Sequence, residues 1–430
     1  MRLRPLWPVF LVGTSHMVAA AAMMPLIPLL AVSRGASPAM VGVVAASGAV
    51  LPLFLGVWTG AGADVVGARR LALGGGLLLS ASLTLIAASS ALWVLVVGAA
   101  IAGFANNVLI LASQTSVAQS SRAQHRDRNF GFFAFWLSVG QLVAPYLGGS
   151  VADAYSIRTA LYGCAALTLV PASLALLLPG ARARARREPA LRVKGAYRAA
   201  WTLARRRDLR FLLSISFVII FAWSIKSSFY PLYLQSVGLS TASIGLIFSL
   251  LGAGSMIVRP LVGAAAARFG RRKILLGAVL LANVAIGAIP FLRHFWALAI
   301  AAMATGVAWG FTQPLTMSLT AGRVDTHEQG LALSLRMTSN RLAEVSSPMV
   351  FATLVSLAGL GSAFFMSAAA LAAGLLVISR GDFDVPAGVA PRGAVRPGVA
   401  PQTDRAARIP QSPADAAPPA PPAPAQPHRR

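Results

Sequence analysis

Acid is scarce in this chain. Only 12 of its 430 residues are Asp or Glu, against 37 Lys or Arg, and charged residues of both signs make up 11%. A soluble domain carries about 25%, so a soluble enzyme is a poor fit. Cys164 is the only cysteine, which excludes an internal disulfide and a cysteine-built metal site. No cluster of His, Asp and Glu is present to hold a metal, and no cofactor is expected. The run Gly74-Gly75-Gly76 lacks a following Lys and Ser or Thr, so it is not a phosphate loop, and direct ATP drive is not indicated.

Apolar residues are plentiful, at 57%. A membrane span needs roughly 20 of them in succession. Spans are predicted near 8–32, 39–62, 71–90, 92–117, 130–152, 157–179, 211–236, 243–266, 273–292, 295–320, 329–353 and 359–379. All twelve should be helices, because lipid offers backbone N–H and C=O groups no other partner. The apolar run after Arg2 and Arg4 is too long for a typical signal peptide and reads as an uncleaved first span.

The first six spans repeat in the last six at a constant offset of 203 residues. Pro28, Gly35, Ser37 and Gly42 answer Pro231, Gly238, Ser240 and Gly245. Gly60, Gly67, Arg69 and Gly74 answer Gly263, Gly270, Arg272 and Gly277, and Trp93, Gly103 and Pro145 answer Trp296, Gly306 and Pro348. Each half has an even number of spans, so both keep one orientation. The fold class is therefore an all-α membrane protein, two six-helix bundles related by a pseudo-two-fold axis along the membrane normal, with a site between them. The bundles are predicted at 1–180 and 211–380. Between them lies a basic linker, 181–210, in which Tyr197 and Trp201 are spaced for a short helix in the headgroup region. Residues 381–430 are rich in Pro and Ala and are predicted to be a disordered tail.

The net charge of +25 does not point to nucleic acid. The N-terminus and even-numbered loops hold 23 Lys or Arg, and the odd loops hold three, Arg34, Arg158 and Arg293. The positive-inside rule then places both termini in the cytoplasm of a cell with this protein in its cytoplasmic (inner) membrane. The basic residues are topology signals and contacts for anionic lipid.

The loop after span two reads Gly60-Ala-Gly-Ala-Asp64-Val-Val-Gly67-Ala-Arg69-Arg70, and the second copy reads Gly263-Ala-Ala-Ala-Ala267-Arg268-Phe269-Gly270-Arg271-Arg272-Lys273. This resembles the cytoplasmic signature of the major facilitator superfamily. The first copy lacks the basic residue after the Asp, and the second lacks the Asp and keeps Arg268. The resemblance implies a latch at one end of a transporter that breaks as the halves rock. Span five carries Gly131, Gly140, Ala144-Pro145 and Gly148-Gly149. It resembles the superfamily's antiporter signature, which has Gly-Pro at the position of Ala144-Pro145, and the resemblance associates this element with export. The superfamily's signature for proton-coupled drug export puts an Arg in span four, four residues before a Gly. Gly103 is present here, but that position is Ala99, so the usual proton route does not carry over.

Charges inside spans are costly and mark function. Four basic residues lie well inside, Lys226, Arg259, Arg336 and Arg341, and one acid, Glu344. Lys226 and Glu344 each lie about 22 Å from the even-loop end of their span, at about 1.5 Å per residue. Arg341 is one turn from Glu344. Glu344 can pair with Lys226 or with Arg341. The expectation is that Glu344 is the proton-titrating group, with Lys226 as its substrate-sensitive partner. Arg259 and Arg336 are expected to snorkel or to support the even-loop gate.

In the resembled superfamily, spans one, four, seven and ten line the central cavity. In this chain those spans carry His16; Asn106, Asn107 and Gln114; Trp223, Lys226, Tyr230 and Tyr233; and Trp309 and Gln313. An aromatic cavity with few polar anchors suits an amphipathic organic molecule. The function expected is that of a monomeric secondary exporter of such a molecule, with a proton or another ion as coupling partner. Uptake of an anionic metabolite is the alternative, favoured by the cationic excess within the spans. A transporter-like sensor or scaffold that moves nothing is the third reading.

Overall fold

The structure, a computed structural model, describes residues 7–121, 126–177, 201–324 and 328–379. The linker residues 181–200 and the tail 381–430 lie outside these, as do the side chains of Asp64 and its neighbours at 60–65. Every regular element among the described residues is helical.

Spans one to six are the helices Trp7–Ser33, Pro38–Val66, Ala68–Ala88, Leu92–Ser120, Arg126–Ala154 and Ile157–Ala175. Span seven is Arg207–Ser236. Span eight, Thr241–Phe269, is interrupted by a 3-10 turn at Arg259–Leu261. Pro260 lacks the N–H that would continue the α-helix. Span nine is Arg271–Ala288, continued by a 3-10 turn at Ile289–Phe291 that contains Pro290. Spans ten, eleven and twelve are Phe295–Gly322, Gln329–Ala358 and Leu360–Ser379. Among the described residues, ten helices are long and apolar enough to cross a membrane. Span eleven carries the charges Arg336, Arg341 and Glu344 among its 30 residues, and span twelve is an apolar helix of shorter reach.

The sequence repeat is a structural one. Span one packs on five and six, two on four, and three on four and six. The counterparts seven on eleven and twelve, eight on ten, and nine on ten and twelve repeat the pattern. Gly35 and Gly67 have φ of 76° and 87°, and their repeat mates Gly238 and Gly270 have 85° and 84°. Only glycine adopts that backbone without strain, and it starts spans three and nine in the same way. A Cβ on Gly103 would collide with the carbonyl of Gly48, and one on its mate Gly306 would collide with that of Leu251, the mate of Gly48. Small residues thus set both the crossing of spans two and four and that of eight and ten.

Between the halves, span two packs on eleven and span five on eight, and one touches seven. Exchanging the halves turns the first pairing into the second, as a two-fold axis requires. Outward faces are apolar and exposed: span nine exposes Leu280, Leu281 and Val284 while burying Ala278, Val279 and Asn283. That is the reverse of a soluble helix and the expected face toward lipid. In the described end of the linker, Arg205 lies over the exposed Trp201 ring, 5.2 Å from its centroid.

Candidate functional site

The polar residues of the membrane interior converge where spans one, four, seven and eleven approach. Arg341 of span eleven donates from Nη1 to Glu344 Oε2 at 2.6 Å and from Nη2 to Asn107 Oδ1 at 3.0 Å. The first bond follows from the i, i+3 spacing on one helix face. The second crosses from the second half to the first. Arg341 and Glu344 side chains are 25% and 28% exposed. Asn107 occupies the opposing wall, so this exposure belongs to a crevice between the halves. A charge pair facing lipid would be costly there.

Asn106, the next residue back along span four, points the other way. Its Oδ1 accepts from His16 Nε2 of span one at 2.7 Å. An amide oxygen only accepts, so this assigns the Nε2–H tautomer. His16 Nδ1 is buried without a partner. Two consecutive asparagines therefore tie span four to span one inside its own half and to span eleven across the interface.

Glu344 pairs with Arg341 and not with the expected Lys226, whose ammonium turns instead to the Tyr230 ring. Lys226 is 1% exposed, with its Nζ 5.0 Å from the centroid of the Tyr230 ring. Three residues before it, Trp223 stacks on Trp309 of span ten, with centroids 4.1 Å apart and planes at 20°. Tyr230 and Tyr233 do not reach the crevice: both are buried, and their hydroxyls donate to the carbonyls of Leu298 and Leu292. Gln114 is exposed toward the even-loop end, and Gln313 is partly buried.

The odd-loop end of the crevice is closed by backbone packing. A Cβ on Gly245 would collide with the Pro145 carbonyl, and one on Gly42 would meet the Pro348 carbonyl at 2.8 Å. Gly42 and Pro348 are the repeat mates of Gly245 and Pro145. Among the small residues of span five, Gly140 seats on Met17 and Gly148 on Ala22 of span one, and Gly149 seats on Thr241 of span eight. Four residues beyond Gly149, Asp153 accepts from the N–H groups of Thr241 and Ala242 at 2.8 and 3.0 Å. A carboxylate there satisfies orphan donors at the start of span eight and opposes the positive end of its dipole. Outside the spans at this end, Arg34 donates to the Ile86 carbonyl at 2.6 Å. Burial, and then the nearby Arg158, push its pKa below the ordinary arginine value.

Nearer the even loops, Arg259 donates to the Ala134 carbonyl at 3.1 Å and to Ser138 Oγ, joining spans eight and five. Arg336 is 5% exposed, and its Nε and Nη1 have no hydrogen-bond partner. In the loop signature, Arg268 lies over Phe269 at 5.4 Å, and Gly263 stands in open space.

Sequence reasoning missed Asp153, Asn283 and the bond from Ser216 to Asn340 at 2.7 Å. The signal for Asp153 was available, since an acid at an odd-loop end is rare in so acid-poor a chain. Asn283 stands alone in an apolar span, and nothing in its spacing marks it; Asn340, one turn after Arg336 and next to Arg341, had a polar setting that could have flagged it.

Comparison with known proteins agrees with this geometry. The chain matches the Major Facilitator Superfamily over residues 9–292 and 212–410. It is 24% identical over 278 residues to the class H tetracycline resistance protein of Pasteurella multocida, covering 63% of this chain and 68% of that protein. It is 23% identical to the multidrug resistance protein MdtG of Enterobacter lignolyticus (strain SCF1), covering 53% of this chain and 55% of the relative. With MdtG of Klebsiella pneumoniae (strain 342) identity is 30%, over 35% of this chain and 37% of the relative. The chain thus spans about half or less of the MdtG proteins. Among solved structures, the nucleoside transporter NupG superimposes with a TM-score of 0.74 at 14% identity, covering 88% of this chain and 100% of that one. A bacterial homologue of the lysosomal transporter Spinster, inward-facing and unoccupied, gives 0.69 at 14% identity, covering 87% and 94%. The match along nearly the whole length, on a fold of two packed helical halves, makes this chain a member of the major facilitator superfamily of membrane transporters.

Proposed function

We propose that the protein is a monomeric secondary exporter in the cytoplasmic membrane, moving a small amphipathic organic molecule by alternating access with proton coupling. Both termini and the even loops lie in the cytoplasm, and residues 1–180 and 211–380 are the two bodies that rock. The observation that carries this reading is the chain Glu344–Arg341–Asn107, which joins an acid inside the membrane to the opposite half. While Glu344 is ionised, it holds Arg341 in reach of Asn107. A proton on Glu344 removes the charge that orients Arg341, which weakens the bridge between the halves. Proton binding and the rocking equilibrium are then linked, which is the requirement for coupling.

Substrate enters among Asn106, Asn107, Gln114, Trp223, Trp309 and Gln313, with His16, Lys226 and Tyr230 behind this lining. The loop signature latches the even-loop end when the odd-loop end opens, through Gly60, Asp64, Gly67, Arg69 and Arg70 and, in the second half, Arg259, Gly263, Arg268, Gly270 and Arg272. Gly131, Gly140, Pro145, Gly148 and Gly149 form the bearing on which span five moves. The relatives named for tetracycline and multidrug resistance support the outward direction. Uptake of an anionic metabolite is the second reading, favoured by the cation Lys226 deep in the fold.

The test is transport of tetracycline and ethidium in proteoliposomes under an imposed pH gradient. Accumulation driven by the gradient supports export. Gradient-driven entry of an organic acid from the odd-loop side supports uptake, and binding without flux supports a sensor or scaffold.

A further inference from the structure

Inside the second half, spans seven, nine and ten line a small, partly open cavity of about 20 Å³. Its walls are Trp223, Trp309 and aliphatic residues, with Asn283, Thr305 and Thr312 as its amide and hydroxyl side chains. Asn283 is 3% exposed, and neither Oδ1 nor Nδ2 has a hydrogen-bond partner. The two threonines do not supply one. Thr305 donates to the Ala301 carbonyl at 2.8 Å and Thr312 to the Trp309 carbonyl at 3.3 Å, so their hydroxyl protons are committed to their own helix. Buried amides are almost always paired, and an unpaired one opposes folding. A leucine of similar size would remove that burden, so the amide at this position calls for an occupant.

The cavity has the right size and chemistry for a small one. It has room for about one water-sized group. It contains no charge, so an ionic group is excluded from it. Asn283, buried in the wall, carries one acceptor and two donors, which a hydroxyl can match on both counts once the amide turns toward it. The stacked indoles of Trp223 and Trp309 form part of its wall and are themselves partly exposed, so an aromatic ligand can extend the stack while its polar end turns inward. Lys226, one turn further along span seven, lies outside the lining, leaving any anionic group of the ligand to a separate place.

We propose that this cavity is a substrate subsite, in which Asn283 binds the neutral hydroxyl of an aromatic ligand packed on the Trp223–Trp309 pair. It deepens the transport reading, because it names the class of molecule the central crevice selects: amphipathic, aromatic and bearing a neutral hydroxyl. Asn283 is then a specificity-determining residue on a span outside the expected cavity lining.

The probes are 2-naphthylmethanol and 2-ethylnaphthalene, which differ only in a terminal hydroxyl against a methyl. Binding is measured by titration calorimetry on the full chain in lipid nanodiscs. The wild type should prefer the alcohol by about tenfold, the size of one buried hydrogen bond. Asn283→Leu should abolish the preference while keeping affinity for the hydrocarbon, and its melting temperature should hold or rise. Asn283→Gln, which keeps the amide, should retain part of the preference. No preference in the wild type, or one that survives Asn283→Leu, would overturn the proposal. So would a fall in melting temperature with equal loss of both ligands, which marks an amide serving only a trapped water. Selective binding without export of either probe would count against the export reading and leave the subsite standing.

Discussion

Gly245 of span eight lies against the carbonyl of Pro145 in span five, and their repeat mates Gly42 and Pro348 make the same kind of contact between spans two and eleven. One interlock, used twice about the pseudo-two-fold axis, closes the odd-loop end. Glycine is needed at both places because a Cβ has nowhere to go. A methyl here prevents the backbones from meeting, and overpacking of this kind costs about 1–3 kcal/mol. Gly245→Ala and Gly42→Ala are each expected to shift the protein toward an open odd-loop end by about tenfold. With Cys164 replaced by alanine and a cysteine in place of Ser249, labelling from the odd-loop side should quicken by that factor.

Asp153 should act in the same direction for a different reason. Its carboxylate holds the first N–H groups of span eight from span five, and losing such a cap costs about 1 kcal/mol. Asp153→Ala is expected to raise labelling at the same cysteine by about fivefold. Asp153→Asn, which keeps one acceptor, should fall between it and wild type.

Glu344→Gln keeps the size of the side chain and removes its charge. Flux driven by a pH gradient should disappear, while exchange of labelled for unlabelled substrate continues. Arg341→Ala should impair both, because it removes the bridge to Asn107 as well. In a double-mutant cycle, Arg341 and Asn107 should couple by at least about 0.5 kcal/mol in thermal stability. Additive effects would mean that the inter-half bond carries no energy.

Lys226 is buried, with its Nζ over the face of the Tyr230 ring. Replacing a buried charge by a well-packed apolar chain is often neutral or stabilising. Lys226→Met is therefore expected to keep or raise the melting temperature. If Lys226 reads substrate charge, the same variant should bind anionic ligands at least about tenfold more weakly and leave neutral ones unchanged. A fall in stability with no change in ligand preference would make Lys226 a structural residue.

Much of the fold was legible because the repeat tolerates no gap. An offset of 203 that pairs Gly42 with Gly245 and Pro145 with Pro348 predicts that whatever one pair does, the other does too. The span ends were legible within a few residues, while the 3-10 turns at Pro260 and Pro290 were not. The site was legible only in part. Charges inside a span announce themselves by their cost, so Glu344, Arg341 and Lys226 stood out. Which cation takes Glu344 depends on helix rotation, which spacing alone did not decide. The tyrosines on the Lys226 stripe looked like cavity lining, but Tyr230 turns into its own half, where Leu298 offers a carbonyl. Asn283 was invisible, because one amide in an apolar span looks like any interhelical bond.

Reciprocal motion of the two ends around the central bridge is tested most directly by distances between spin labels. Val43 and Leu357 are exposed near the odd-loop ends of spans two and eleven, and Val66 and Met337 near the even-loop ends. With cysteines at one pair at a time in a Cys164→Ala background, acidification should lengthen the first distance and shorten the second, and Glu344→Gln should abolish the response. If both distances change in the same sense, or both respond to pH unchanged in the Glu344→Gln protein, the proposed coupling is wrong.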